Sequence, residues 1–141
     1  MPKLRPFHLA IPVRDIDSTR TFYVETLGCS VGRVTEHWID FNFFGHQLSA
    51  HVSPDELTQT RTNTVDGKDV PVRHFGIVLA QEDWHALSEK LGKRGITFLI
   101  EPTIRFKDQA GEQATMFILD PSGNALEFKS FRNDQQLFAV E

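Results

Sequence analysis

The run Phe7-His8-Leu9-Ala10-Ile11-Pro12-Val13 returns, in residue type and order, as Arg73-His74-Phe75-Gly76-Ile77-Val78-Leu79. A chain that repeats itself in this way must build two copies of one supersecondary unit, which removes most alternative architectures. Both runs are short, apolar and rich in branched residues, so each predicts a buried strand. Helical spacing follows each. In the first copy Asp15 or Asp17 stands where an N-cap accepts orphan amides, Ile16, Arg20, Tyr23 and Leu27 keep the helical period, and Gly28 supplies a left-handed stop. In the second, Glu82 and Asp83 sit at the positive helix end, Trp84, Leu87 and Leu91 form the apolar stripe, and Gly92 or Gly95 ends it.

Three strand-like stretches come after each helix. They fall at about 31–36, 38–43 and 46–52 in the first copy, and at about 97–104, 113–119 and 124–131 in the second. Asp120-Pro121-Ser122-Gly123 is a turn with a mechanism, since Pro presets φ and Gly accepts a positive one. The order βαβββ, twice, makes an α+β fold. With 141 residues the chain suits one domain. Its first module spans about 7–53, a polar, Thr-rich linker 54–71, the second module about 72–131, and residues 132–141 form a loose tail or an interface strand.

Composition narrows the function classes. A net charge of −4 and a pI near 5.8 remove the electrostatic footprint of a nucleic-acid binder. No apolar run approaches the length of a membrane span, and the first residues carry no hydrophobic signal core. A lone cysteine, Cys29, cannot close an internal disulfide and points to a reducing cytoplasm. Twelve Phe against one Tyr place most aromatic surface in a core or an apolar pocket, with Phe41, Phe43 and Phe117 as candidate pocket walls.

The repeat also brings chemistry together. Aligning turn glycines Gly45 and Gly123 sets Ser49 opposite Glu127, and side chains two apart on a strand share a face. Gln47, Ser49 and His51 then share one face, and Ala125, Glu127 and Lys129 its counterpart, while His8 and His74 occupy equivalent points. Glu127 lies within the apolar run Ala125-Leu126-Glu127-Phe128, where an unpaired carboxylate is expensive to bury. A bound cation resolves that. Two imidazoles and one carboxylate, His8, His74 and Glu127, form a facial triad with open coordination positions, the donor set of non-haem Fe(II) oxygenases.

Taken together, Phe7-His8-Leu9-Ala10-Ile11, the helix with Thr21-Phe22-Tyr23-Val24-Glu25-Thr26-Leu27-Gly28, Arg73-His74-Phe75-Gly76, and Leu119-Asp120-Pro121-Ser122-Gly123-Asn124-Ala125-Leu126-Glu127 resemble the vicinal oxygen chelate superfamily of glyoxalases, bleomycin-resistance proteins, fosfomycin-resistance enzymes and extradiol dioxygenases. The resemblance implies two βαβββ modules forming a curved mixed sheet around a metal and substrate cavity. It also implies a divalent metal, Fe(II) first, with Mn, Zn or Ni as alternatives, and a small, aromatic, oxygen-chelating substrate. Glyoxalases of this kind add a fourth ligand from the last strand of the first module. Ser49 fills that slot here, with Gln47 or His51 reachable only by a shift of register. The three-ligand pattern looks like the catalytic half of extradiol dioxygenases, which are oxidoreductases, so a dioxygenase is the first expectation; it also looks like the fosfomycin-resistance thiol transferases. In the dioxygenase reading His51 is the candidate acid/base group. One departure stands out: the tyrosine that commonly precedes the glutamate ligand by ten residues is Phe117 here, which has no proton to give. Extradiol enzymes also usually carry four such modules, so two modules imply a homodimer. The competing expectation is a metal-dependent isomerase or transferase, and a third is a metal-free binding protein of the bleomycin-resistance type.

Overall fold

In the computed structural model, which describes residues 3–57, 62–65 and 67–140, the first apolar run is strand β1, His8–Val13. Three further strands follow its helix: β2 (Ser30–Val34), β3 (Trp38–Phe43) and β4 (His46–Val52). β1 lies parallel to β4, and β3 is antiparallel to both β4 and β2, which gives the order β1-β4-β3-β2. A two-stranded element, β5 (Thr62–Val65) and β6 (Lys68–Pro71), comes next. The second copy comprises β7 (His74–Val78), β8 (Phe98–Arg105), β9 (Gln113–Leu119) and β10 (Ala125–Phe131), in the matching order β7-β10-β9-β8. The repeat extends to pairing: His8 stands beside Gln47 and Ala10 beside Ser49, just as His74 stands beside Ala125 and Gly76 beside Glu127. The fold is α+β with two βαβββ-like modules, each carrying a four-stranded sheet of mixed strands.

By their contacts the residues divide into two units, Met1–Gln59 with Asp120–Asn124, and Thr60–Leu119 with Ala125–Glu141. In the first, Asp15 caps helix α1 (Ile16–Arg20) by accepting from the Ser18 amide at 2.7 Å. The helix widens at once into a π-turn over Thr21–Thr26, which turns Phe22, Tyr23 and Thr26 together toward the sheet. Ile39, Phe41, Phe43, Leu48 and Ala50 of the sheet are buried as well, and the Tyr23 and Phe41 rings lie 5.0 Å apart. Gly28 ends the turn at φ 81°. Asp120–Asn124, expected as a turn of the second module, belongs to this unit. The buried Tyr23 hydroxyl donates to Asp120 Oδ2 at 2.9 Å, Asp120 Oδ1 accepts the Ser122 and Asn124 amides, and the Asn124 side-chain amide donates to the Pro12 carbonyl.

In the second unit the stripe Trp84, Leu87 and Leu91 of α2 (Gln81–Lys93) is buried as expected, and Trp84 Nε1 donates to the Phe128 carbonyl at 2.8 Å. Gly92 lies inside the helix, and Gly95, at φ 71°, makes the stop. The linker and the tail carry structure of their own. The linker 54–71 contains a short 3-10 turn (Pro54–Glu56) and the antiparallel pair β5–β6, whose strands draw on its β-branched Thr and Val residues. Residues 58–61 and 66 of that segment, with 1–2 and 141 at the ends, lie outside the described residues. The tail is held to the β8–β9 connection: the Arg132 amide donates to the Glu112 carbonyl, and the Gly111 amide donates to Gln136 Oε1.

Candidate metal centre

Glu127 organises the site of the second unit. Strand alternation sends its neighbours Leu126 and Phe128 to the helix side and leaves Glu127 on the opposite face, 8% exposed. Parallel pairing with β7 puts His74 and Gly76 on that face, and antiparallel pairing with β9 adds Phe117 and Thr115. Gly76 is required there, because a Cβ built on it collides with the Glu127 carbonyl.

A carboxylate so nearly enclosed needs partners. Thr115 Oγ1 donates to Glu127 Oε2 at 2.6 Å. The other oxygen, Oε1, faces His74 Nε2 at 3.5 Å and Lys129 Nζ at 3.9 Å. His74 Nδ1 lies 2.9 Å from the Pro71 carbonyl, which can only accept, so Nδ1 carries a hydrogen and Nε2 is the nitrogen left to bind a cation. The Phe117 ring meets the imidazole edge-on with centroids 5.1 Å apart. One imidazole nitrogen with its tautomer set by a backbone acceptor, beside one carboxylate oxygen whose twin is tied down, is how protein ligands are held for a divalent ion. Ligands each about 2.1 Å from an ion, at angles between octahedral and tetrahedral, stand roughly 3.0–3.4 Å apart. The His74–Glu127 separation of 3.5 Å stands just above the upper end of that range, so a small side-chain adjustment would bring both atoms onto one ion.

The equivalent face of the first unit carries His8, Gln47 and Asn42 in one paired row, Ala10, Ser49 and Asp40 in the next, and Pro12, His51 and Trp38 in the third. Gln47, Ser49 and His51 thus share a face, as their spacing required. Ser49 Oγ donates to Asp40 Oδ1 at 2.6 Å, so the hydroxyl in the fourth-ligand slot is engaged by a carboxylate. His51 is exposed, its ring 6.0 Å from that of Trp38. His46 Nδ1 accepts the Phe7 amide and anchors the entry to β1. A cleft of about 670 Å³ runs across this unit, lined among others by Arg33, Asp40, Asn42 and Gln47.

Two of the candidate pocket walls are displaced by strand parity. Phe41 pairs with Leu48 and Phe43 with His46, so both point to the helix side, away from Ser49 and His51, and are buried at 2% and 4% exposure. Phe117 is on the Glu127 face, but it is sealed by Val70 and Ile100 in a small apolar cluster. His74 and Glu127 come together, and His8 is carried by the other unit at the matching register position. Among the described residues no three His, Cys, Asp or Glu side chains gather as a ready cluster. Asp40, Thr115 and the Pro71 carbonyl were missed as site components, and Lys129 was placed on the Glu127 face without a role. Asp40 and Thr115 were findable by counting strand partners outward from Gly45 and Gly123.

Residues 5–128 match the family model of the Glyoxalase/Bleomycin resistance protein/Dioxygenase superfamily. The chain is 28% identical over 121 residues to the glutathione transferase FosA of Serratia marcescens, covering 85% of this chain and 76% of that one. It superposes on the crystal structure of a glyoxalase/bleomycin resistance protein/dioxygenase from Alicyclobacillus acidocaldarius with a TM-score of 0.80 and 38% identity, over 94% of this chain and 95% of that one. The fosfomycin resistance protein FosX of Listeria monocytogenes shares the fold, with a TM-score of 0.67 and 15% identity over 96% and 98% of the two chains.

Proposed function

The chain belongs to the Glyoxalase/Bleomycin resistance protein/Dioxygenase superfamily, and from that premise we propose that it is a metal-dependent enzyme acting on a small molecule that chelates the ion through oxygen. The observation that carries this reading is the prepared pair: His74 with Nε2 freed by the Pro71 carbonyl, and Glu127 with Oε1 freed by Thr115. His8 is proposed as the third donor on its register equivalence to His74. A divalent ion bound to two imidazoles and a carboxylate would polarise substrate oxygens as a Lewis acid. Thr115 holds the carboxylate in one orientation, and the Phe117 ring packs edge-on against the His74 imidazole. No helix among the described residues is long and apolar enough to cross a membrane. A homodimer in the reducing cytoplasm is part of the proposal, consistent with the single buried Cys29.

Transferase or isomerase chemistry is favoured over ring cleavage. Its support is the sequence likeness to a glutathione transferase and a phenylalanine, Phe117, packed between Val70 and Ile100 where an extradiol enzyme would hold a tyrosine. The Fe(II) dioxygenase, with His51 as acid/base, is the competing use of the same donors, and the engaged Ser49 hydroxyl is compatible with either. Anaerobic loading with Mn(II), Zn(II), Ni(II) or Fe(II), followed by thiol-dependent turnover and oxygen uptake on a catechol panel, separates them. Stoichiometric metal with thiol consumption and no oxygen uptake is expected. Oxygen uptake that His51→Ala abolishes would reverse the preference, and failure of all four metals to bind would remove the enzyme reading.

A further inference from the structure

Lys129 stands in a position that a metal-holding glutamate alone does not explain. It lies two residues beyond Glu127 on β10, on the same face, and its ammonium is 3.9 Å from the oxygen that also faces His74 Nε2. The side chain is one-third exposed, so it is neither core filler nor fully solvated. If a divalent ion takes Oε1, as the proposed function requires, the local charge becomes lopsided. The ion brings two positive charges and Lys129 a third, the imidazoles are neutral, and Glu127 supplies one negative charge. Like charges in a partly desolvated pocket repel far more than in water. Oε2 offers no relief, because Thr115 already occupies it. A lysine on a flexible four-carbon stem can follow a mobile partner that a fixed carboxylate cannot replace.

We infer that Lys129 is an anion subsite of the metal centre, which recognises a small oxyanion substrate by pairing with one of its charged oxygens while another faces the ion. This inference rests on the proposed metal site and names its substrate class: carboxylate, phosphate-like or enediolate compounds rather than neutral diols. The same residue then acts in opposite directions on two affinities, weakening the metal and strengthening the anion. A lysine that merely neutralises Glu127 shares the effect on the metal and lacks the effect on the anion, so phosphate affinity is the deciding readout. Calorimetric titration of Mn(II) into the apo protein, and of inorganic phosphate into the Mn(II)-loaded protein, reads both. Lys129→Met is expected to bind Mn(II) roughly fivefold more tightly and phosphate roughly fivefold more weakly, the scale of one partly exposed ion pair. Lys129→Arg should stay near the wild type on both, and Lys129→Gln provides a second neutral variant should the methionine protein fail to fold. Weaker Mn(II) binding in the neutral variants, or unchanged phosphate binding, overturns the inference while leaving the metal site intact. Wild-type protein that takes up Mn(II) but no phosphate does the same. Wild-type protein that takes up no Mn(II) removes the metal reading, and this inference with it.

Discussion

Thr115 and Tyr23 show how much depends on one hydroxyl. Thr115 Oγ1 donates to Glu127 Oε2, so Thr115→Val takes that hydrogen bond from a buried carboxylate oxygen, at about 1–3 kcal/mol. If Glu127 is a metal ligand, the same change should weaken Mn(II) binding by about 10–100-fold, and Thr115→Ser should restore it. Mn(II) affinity equal to wild type in the valine variant would leave Thr115 a purely structural residue. Tyr23 concerns pH. Burial, and then the neighbouring Asp120 carboxylate, hold its phenol well above the ordinary value near 10. In alkaline solution the unfolded chain therefore releases this proton while the folded chain keeps it. Fewer protons bound in the unfolded state means that stability falls as pH rises past about 10. Denaturant midpoints between pH 8 and 11 should show that decline, and Tyr23→Phe should flatten it while losing about 1.5–3 kcal/mol at neutral pH with its hydrogen bond to Asp120. An identical alkaline decline in the phenylalanine variant would assign the slope to other groups.

Strand pairing decides which side chains meet. Gly76 belongs to β7, but its importance comes from β10, whose Glu127 carbonyl occupies the space a Cβ would need. Gly76→Ala should force the two strands apart, costing about 1–3 kcal/mol and displacing Glu127 relative to His74. The check is a thermal melt with a Mn(II) titration, and a variant matching wild type in both would show that the strands have room to spare. Its counterpart in the first unit, Ala10, tolerates a methyl opposite Ser49, so the constraint belongs to the copy that carries the glutamate. Parity also explains the Phe corrections. Aromatic content in β3 is visible in the sequence, but whether Phe41 and Phe43 face a pocket or a helix depends on a one-residue choice of register. The hydrogen-bonded rows beginning with Phe43 and His46 at the Gly45 turn make that choice. The π-turn after α1 was likewise illegible, since a helical period survives in the residue spacing when one turn widens to seat Phe22 and Tyr23 together.

For the protein as a whole, the proposed donors predict a linkage between metal and folding. Mn(II) at about 100 times its Kd should add about 2.7 kcal/mol to unfolding, lost again on chelation. His74→Ala should abolish the shift, and His8→Ala should do so equally if His8 is the third donor; an undiminished shift in the His8 variant would remove it from the set. The two-module α+β plan, the paired histidine positions and the face shared by Gln47, Ser49 and His51 were all determined by the sequence. They rest on local periodicity and on repetition, both of which are written along the chain. Tertiary structure alone decided that Ser49 is engaged by Asp40, that Thr115 donates to Glu127, that Val70 of β6 seals Phe117, and that the Asp120–Asn124 turn joins the first unit. Each of those is a contact between residues on different strands or loops, and its existence depends on register, parity and the direction of a side chain in space, quantities that no spacing within a single segment encodes.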